Sequence, residues 1–240
     1  MKRALFVLTA CLWLSAAPSR AEEVRVAYFT FDPLIHGAGN QAAGPLADIV
    51  RQVAEGFDLR FDAEPMTIKR VLAVAHEKPV LIPVLARTPE RENDFLWLGR
   101  LYCDDLVMAT VAPAARIDTL DQARALKAIG TGRGGIGEDF LTRNGFGTLE
   151  TAANMFLDAR KLREHRIDGW FAFKLNIQSA WRRTGGAPED LQIGSSLGSV
   201  CLWMAASKEM PPATADRLRA NLGRLIEAGT VTRALTASPN

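Results

Sequence analysis

The sequence of 240 residues predicts an α/β protein whose sheets are largely parallel, on three observations. Short apolar segments typical of strands alternate with amphipathic segments typical of helices along most of the chain. Two strand segments, residues 80–85 and 106–111, are nearly continuous apolar runs, as expected for strands that helices cover on both faces. Neither an internal repeat nor a low-complexity linker interrupts the alternation. Such alternation favours an α/β architecture over segregated helices and strands.

The first part of the chain supplies three strands and two helices. Strands are predicted at residues 24–28, 59–61 and 80–85, and helices at residues 47–54 and after Thr67. The second helix carries apolar residues at the helical spacing i, i+3, i+4 and i+7, which are Ile68, Val71, Leu72 and Ala75. Thr67 precedes this pattern and is suited to cap the helix. Pro83 argues against a central strand at residues 80–85, since proline donates no ladder hydrogen bond.

The second part of the chain continues the alternation. Strands are predicted at residues 106–111, 128–130, 169–172, 191–193 and 200–204. Helices are predicted from Asp118 or Thr119 to 127, from a glycine-rich turn at 132–135 to 143, and at 153–164 and 176–183. The helix at 153–164 aligns Met155, Phe156, Ala159 and Leu162 on one face. A long final helix is predicted to be capped by Thr214 and to end at Gly229.

The first 21 residues have the layout of a secretory signal peptide. Lys2 and Arg3 precede an apolar run at residues 4–14, and Ser19 and Ala21 place small residues before a cleavable bond. The run is too short to span a bilayer. We therefore expect cleavage after Ala21 and a periplasmic mature chain. Two alternatives are an N-terminal core helix and lipid attachment at Cys11, which ends a segment similar to a lipoprotein processing box.

Charge and cysteine content narrow the class of protein further. The formal net charge is +2, and removing the signal with its three basic residues leaves one more acidic than basic residue. A near-neutral mature chain argues against a nucleic-acid partner. Cys103 and Cys201 remain after cleavage, which makes a disulfide plausible in an oxidising compartment. Two buried thiols are the alternative.

An anion site is predicted at residues 87–92, which read Arg-Thr-Pro-Glu-Arg-Glu directly after a buried strand. Loops at the carboxyl ends of strands are where open α/β sheets bind ligands. The planar guanidinium of arginine matches a carboxylate with two parallel hydrogen bonds. The alternative is a solvated helix start, with Thr88 as N-cap and Pro89 in the first turn. Both interpretations can hold together.

The ordered set of segments resembles bacterial extracellular solute-binding proteins of family 3, the amino-acid type. Residues 87–92 with Phe95-Leu96-Trp97, residues 44–49, the turn at 133–135 and residues 166–169 carry the resemblance over nearly the whole mature chain. The resemblance implies a periplasmic binding protein type II fold, with two lobes that are joined by two hinge strands. The lobes would comprise residues 22–104 with 201–240, and residues 105–200. Cys103 and Cys201 would lie at the two crossovers.

The resemblance also implies roles for individual residues. Arg91 would grip a ligand carboxylate, with Thr88 beside it, while Ala86 replaces a second hydroxyl of the family. Arg133, Gly134 and Gly135 would offer amide groups at a helix N-terminus to an anion. Phe173, or Ala172 if the alignment shifts by one residue, stands where the family commonly has the aspartate that receives an α-amino group. An ordinary α-amino acid is therefore doubtful, and a plain carboxylate, an aromatic acid or a differently oriented amine fits as well.

Several other residues have two possible structural interpretations each. Tyr28, Phe31 and Trp170 could line the cleft as aromatic platforms or pack in the core. Arg70 could face the cleft or be a surface charge. The histidines are scattered, and no metal-ligand spacing or nucleophile motif appears, so we expect neither a metal, nor a cofactor, nor catalysis.

These inferences together predict a monomeric receptor that captures a small anionic or amino-acid-like ligand by hinge closure. Its partner would be the membrane permease of an ABC importer. Two alternatives on the same fold stay open at this point. One is a dehydratase that acts on a cyclic carboxylic acid, and the other is a receptor that reports ligand to a membrane sensor kinase.

Overall fold

The computed structural model describes residues 22–236, in which eight strands form one mixed sheet flanked by helices. The predicted signal peptide and Cys11 lie outside the described residues. The strands are β1 Glu23–Val26, β2 Asp58–Phe61, β3 Leu81–Ala86, β4 Phe95–Val111, β5 Ile129–Gly132, β6 Leu149–Ala152, β7 Gly169–Phe173 and β8 Leu191–Ser207. The helices are α1 Pro45–Val53, α2 Ile68–Ala75, α3 Leu120–Arg124, α4 Ile136–Arg143, α5 Met155–Arg163, α6 Lys174–Arg183, α7 Pro212–Glu227 and α8 Thr230–Thr236. None of these helices is long and apolar enough to cross a membrane.

Two long antiparallel strands connect two smaller parallel sets. The strand order is β2-β1-β3-β8-β4-β7-β5-β6. Strand β1 pairs in parallel with β2 and β3, and β5 pairs in parallel with β6 and β7. Strands β4 and β8 pair with each other from Phe95 opposite Ser207 to Val111 opposite Leu191. The predicted α/β class with two lobes and two joining strands is confirmed.

Lobe 1 here denotes β1–β3 with α1, α2, α7 and α8, and lobe 2 denotes β5–β7 with α3–α6. The predicted lobe limits at residues 104 and 201 fall inside β4 and β8, and these limits stay a prediction. The sequence patterns predict strands only in the apolar parts of these two long strands. Their middle parts carry polar residues such as Arg100, Asp104 and Asp105, which are not fully buried, so no apolar run marks them.

Helix capping agrees with the sequence at two helices and differs at a third. The Thr67 hydroxyl accepts a hydrogen bond from the Arg70 N–H at 3.3 Å, and Thr119 forms a capping box with Gln122. The prediction for Thr214 is wrong, because α7 begins at Pro212 and Thr214 is buried in its first turn. Proline is favoured at a first helical position since its missing N–H would have no partner there.

Two further differences concern the strands. Pro83 does lie in β3, but the pairing of β3 with β8 shifts register between Ile82 and Leu85, which accommodates the missing donor. Strand β6 was not predicted, because its sequence Leu-Glu-Thr-Ala is short and lies at the sheet edge beside β5.

Cys103 and Cys201 are directly opposite each other in β4 and β8, and their Sγ atoms are bonded. The disulfide thus joins the two strands that connect the lobes. It closes a loop with a sequence separation of 98. Such a loop corresponds to about 4–5 kcal/mol on the chain-entropy model, through restriction of the unfolded chain.

We predict that the denatured, unreduced protein beginning at residue 22 contains no free thiol. The double variant Cys103→Ser/Cys201→Ser should lose about 4–5 kcal/mol of unfolding free energy in urea. Reduction of the native chain should reproduce that loss, while the variant should not respond to reductant. Two reactive thiols in the unreduced chain would contradict the bond.

Candidate ligand-binding site

A cavity of about 350 Å³ lies between the two lobes. Its walls come from the carboxyl ends of the parallel strands, which in lobe 1 are the segments after β1 and β2 and the end of β3. In lobe 2 they are the ends of β5 and β7 and the start of α5. This is the edge at which α/β sheets bind ligands. The volume lies in the range of small-molecule sites.

Aromatic side chains form much of the wall and meet across the cleft. Phe31 of lobe 1 and Phe173 of lobe 2 pack edge to face with ring centroids 5.7 Å apart. Trp170 and Phe171 are fully buried and also line the cavity. Trp170 therefore packs in the core and also lines the cleft, so both interpretations apply to it. Among the lining residues, only Arg91, Arg133 and Asp158 are ionisable.

Arg91 brings a guanidinium to the cavity from lobe 1. It ends a short 3-10 turn, Pro89–Arg91, that follows β3, and its side chain is only 12% exposed. One terminal nitrogen of Arg91 lies 3.3 Å from a carboxylate oxygen of Asp139, on α4 of lobe 2. Burial lowers the pKa of Arg91, and the charge of Asp139 opposes this effect. Arg91 thus already holds a carboxylate across the cleft.

A second ion pair lies next to the first. The Arg143 guanidinium, also on α4, is 2.5 Å from the Glu90 carboxylate. Burial raises the pKa of Asp139, against the effect of Arg91. Because the Pro89–Arg91 turn and α4 belong to different lobes, both pairs exist only while the lobes are together.

In the glycine-rich turn before α4, backbone N–H groups form hydrogen bonds within the turn and with α4. The Gly134 N–H donates to the Glu138 carboxylate, and the Gly135 N–H donates to the Gly132 carbonyl at 3.1 Å. The Arg133 guanidinium donates to Thr151, at 3.3 Å from the hydroxyl. A ligand anion at Gly134 would therefore have to displace Glu138.

Gly134 also brings the lobes into close approach. Its φ of +69° is in the left-handed region, and a Cβ there would lie 2.4 Å from the side chain of Lys69 on α2. Glycine is needed on both counts.

Asp158 is a fully buried acidic residue among those that line the cavity. It lies in the first turn of α5, which Asn154 caps by accepting a hydrogen bond from the Leu157 N–H at 3.1 Å. Asp158 is fully buried, and neither carboxylate oxygen has a hydrogen-bond partner among the described residues. Burial raises its pKa to about 7, although the charge of Lys161 opposes the shift.

A third polar contact joins the lobes beside the cavity. Asp32 of lobe 1 is buried, and its carboxylate accepts hydrogen bonds from Ser179, at 2.5 Å, and from Arg183. Its backbone carbonyl accepts a hydrogen bond from the Asn176 side chain at 2.8 Å. All three donors lie on α6 of lobe 2.

The structure brings several predicted site residues together. Arg91, Arg133, Gly135, Phe31 and Phe173 line the cavity. Their roles toward a ligand stay predictions.

Thr88 and Gly134 lie next to the cavity without lining it. Thr88 is buried, and its hydrogen bond to the Glu90 carboxylate helps to lower the pKa of that group.

Two residues expected at the cleft are elsewhere. Tyr28 is buried in the core of lobe 1, where its hydroxyl donates to the Gly37 carbonyl at 3.1 Å and its ring packs on Phe61. Arg70 is exposed on α2 and does not line the cavity, so it is a surface charge. The chain enters the cleft only after β1, at Phe29 to Phe31, because Tyr28 still faces the core.

Sequence reasoning missed Asp139 and Asp158. For Asp158 a signal was present, because it lies three residues after Met155 and four before Leu162 on the face predicted to be apolar. A carboxyl group on the buried face of an amphipathic helix breaks the local pattern, and such exceptions concentrate at functional sites. Within residues 22–236 no group of three or more His, Cys, Asp or Glu side chains is placed to hold a metal ion.

Comparison with known proteins shows the fold. No protein-family model and no curated protein sequence matches the chain. A mutant of ArgBP from T. maritima superimposes with a TM-score of 0.78 at 16% identity, over 90% of this chain and 94% of that chain. AbpA from Streptococcus pneumoniae, an amino acid ABC transporter substrate-binding protein bound to L-arginine, gives 0.75 at 17% identity, over 90% and 94%.

A histidine kinase sensor domain with similarity to periplasmic binding proteins gives a TM-score of 0.77 at 14% identity, over 91% of this chain and 96% of that domain. The chain therefore has the two-lobed fold of periplasmic binding proteins. At these identities the likeness concerns the fold alone.

We predict that Asp32→Ala weakens the contact between the lobes. The change leaves Ser179 and Arg183 without their acceptor, which should lower the unfolding free energy by about 1–3 kcal/mol in urea titration. Asp48→Ala is the matched control, because that carboxylate forms an exposed pair with Arg51 on one helix and should contribute little. Equal losses in both variants would contradict the role of Asp32.

Proposed function

We propose that this chain is an extracytoplasmic binding protein that captures a small carboxylate-bearing metabolite between its lobes. The observation that carries the proposal is the position of Arg91. Its nearly buried guanidinium lines the cavity between the lobes, whose other walls are largely apolar and aromatic. A cationic fork in such surroundings is suited to a planar anion, since charge-assisted hydrogen bonds are strong where water is scarce.

The contact with Asp139 shows that the Arg91 guanidinium can bind a carboxylate. The Asp139 carboxylate lies within 3.3 Å of the guanidinium, although the exposed fraction of the Asp139 side chain is 50%. A ligand carboxylate would compete with Asp139 for the same nitrogens, or share them.

Closure of the lobes would supply the affinity. A ligand shifts the equilibrium between open and closed states only by the contacts it gains in the closed state. The cavity here takes its walls from both lobes, so a ligand within it contacts both at once. The contacts Phe31–Phe173, Arg91–Asp139 and Glu90–Arg143 would then form on closure and separate on opening.

Transport is the first candidate for the biological role. The predicted signal sequence and the fold shared with an ABC transporter substrate-binding protein support delivery of the ligand to a membrane permease. Sensing is the second candidate, because a histidine kinase sensor domain shares the fold to the same degree. Both roles need the same capture step, and genes for a permease or a sensor kinase beside this one would separate them.

We predict that a panel of organic acids and amino acids contains members that raise the melting temperature of the protein. Binding to the native state alone raises it by mass action. Arg91→Ala should abolish the rise for every carboxylate. Arg91→Lys should keep the charge but lose the paired hydrogen bonds, with affinity falling about tenfold or more.

Arg87→Ala is the matched control for this test. Arg87 is four residues away, pairs with Glu92 and stacks on Trp203 with its guanidinium carbon 4.4 Å from the ring centroid, and it does not line the cavity. Its loss can lower the starting melting temperature but should leave the ligand-induced rise intact. A rise that survives in Arg91→Ala would show that ligand binds elsewhere.

A further inference from the structure

We propose that the cleft selects an aromatic monocarboxylate that carries no amino group. The carboxylate of that ligand would meet Arg91, and its ring would lie against apolar side chains of both lobes. The inference rests on the proposed function and narrows its ligand from any carboxylate-bearing metabolite to one chemical class.

The first argument is a row of aromatic rings that crosses the cavity. Phe29, Phe31 and Phe173 follow one another in edge-to-face contacts, with ring centroids 6.0 Å apart in the first pair and 5.7 Å in the second. All three line the cavity, the first two from lobe 1 and the third from lobe 2. A ligand ring can extend this row in the same geometry, which aromatic pairs prefer.

The second argument is the presence of a thioether on each side of the cavity. Met66, after β2 in lobe 1, and Met155, at the start of α5 in lobe 2, line the cavity and are half-buried. Methionine side chains adapt to the shape of a neighbouring group, and their sulfur atoms form favourable contacts with aromatic rings. Each lobe thus offers both an aromatic ring and a thioether to a ring that lies between them.

The third argument is the charge of the cavity wall. Of the described residues, Arg91, Arg133 and Asp158 are the ionisable ones that line the cavity. The two arginines attract a carboxylate and repel an ammonium group. Arg133 is exposed and donates to Thr151, whereas Arg91 is nearly buried. A ligand with one carboxylate therefore matches the wall.

Asp158 is not placed to receive an amine. A Cβ added to Gly130 of β5 would lie 3.2 Å from one of its carboxylate oxygens, so that oxygen faces the sheet, and both oxygens are buried. Burial also raises the pKa of Asp158 to about 7, so its uncharged form is populated at neutral pH. Such a group does not offset the charge of a buried ammonium.

The acidic residues just outside the cavity already have partners. Four carboxylates lie near the contact between the lobes, and none of them lines the cavity. They are Asp32 with Arg183, Glu90 with Arg143, Glu138 with the Gly134 N–H, and Asp139 with Arg91. A ligand ammonium group would thus lose its hydration without gaining a counter-charge, which is strongly unfavourable.

The neutral polar side chains of the wall are largely engaged as well. Thr67 and Asn154 cap α2 and α5 by accepting hydrogen bonds from Arg70 and Leu157. The Asn176 amide donates to the Asp32 carbonyl. The cavity therefore has few side-chain acceptors for an amine.

The test measures affinity by isothermal titration calorimetry for pairs of acids that differ only in an α-amino group. Phenylacetate is compared with phenylglycine, hydrocinnamate with phenylalanine, and indolepropanoate with tryptophan. We expect at least one aryl acid to bind and its amino derivative to bind about 10- to 100-fold more weakly, because the ammonium group is buried without a partner. Mandelate, phenyllactate and indolelactate carry a hydroxyl group in place of the amine and should lose less affinity.

Saturated analogues test the contribution of the ring. Cyclohexaneacetate and cyclohexanepropanoate fill a similar volume without an aromatic system. We expect each to bind about three- to tenfold more weakly than its aryl counterpart. Equal or tighter binding of the saturated acids would overturn the aromatic part of the inference.

A pair of variants tests the role of the wall. Phe173→Asp places a carboxylate on it at the N-cap of α6, a position where aspartate is favoured. This change should reduce or reverse the preference for the amine-free acid. Phe173→Leu is the matched control, because it removes the ring without adding charge. It should weaken both members of a pair and keep their order.

The outcomes separate this inference from the proposed function. Arg91-dependent binding of amino acids that is as tight as that of their amine-free partners would overturn the inference alone. Arg91-dependent binding of aliphatic acids such as butyrate and caproate, without any aryl acid, would do the same. Absence of Arg91-dependent binding by every carboxylate would overturn the proposed function and the inference with it.

Discussion

The antiparallel pairing of β4 with β8 is the constraint on which the rest of the structure depends. Both strands have 17 residues and run through both lobes, with the Cys103–Cys201 bond directly across the pair. Among residues 22–236, the three-stranded parallel sets at either side have no other sheet connection to each other. Motion of one lobe against the other must therefore pass through these two strands.

Contact between the lobes brings together charged residues that lie far apart in the sequence. Arg91 meets Asp139, Glu90 meets Arg143, and Asp32 meets Arg183, each pair crossing from one lobe to the other. In two of these pairs one member is buried or nearly buried, Asp32 or Arg91, and the charge from the opposite lobe is its partner.

Asp158 is the exception, because neither of its carboxylate oxygens has a hydrogen-bond partner among the described residues, although the charge of Lys161 acts on it. The glycine turn before α4 shows the opposite case, since Glu138 satisfies the Gly134 amide from within the same segment. Donors that the fold itself satisfies attract a ligand less than groups it leaves without partners.

The sequence by itself determined the local elements and the residue types of the cleft. Helical spacing, the Thr67 and Thr119 caps and the buried runs fixed the α/β class, because these signals act over a few residues. Only the tertiary structure decided that Tyr28 belongs to the core, that Asp139 holds Arg91, and that Asp158 is without a partner. Burial and ion pairing between distant segments depend on how the lobes meet. No periodicity along the chain shows which distant residues come into contact.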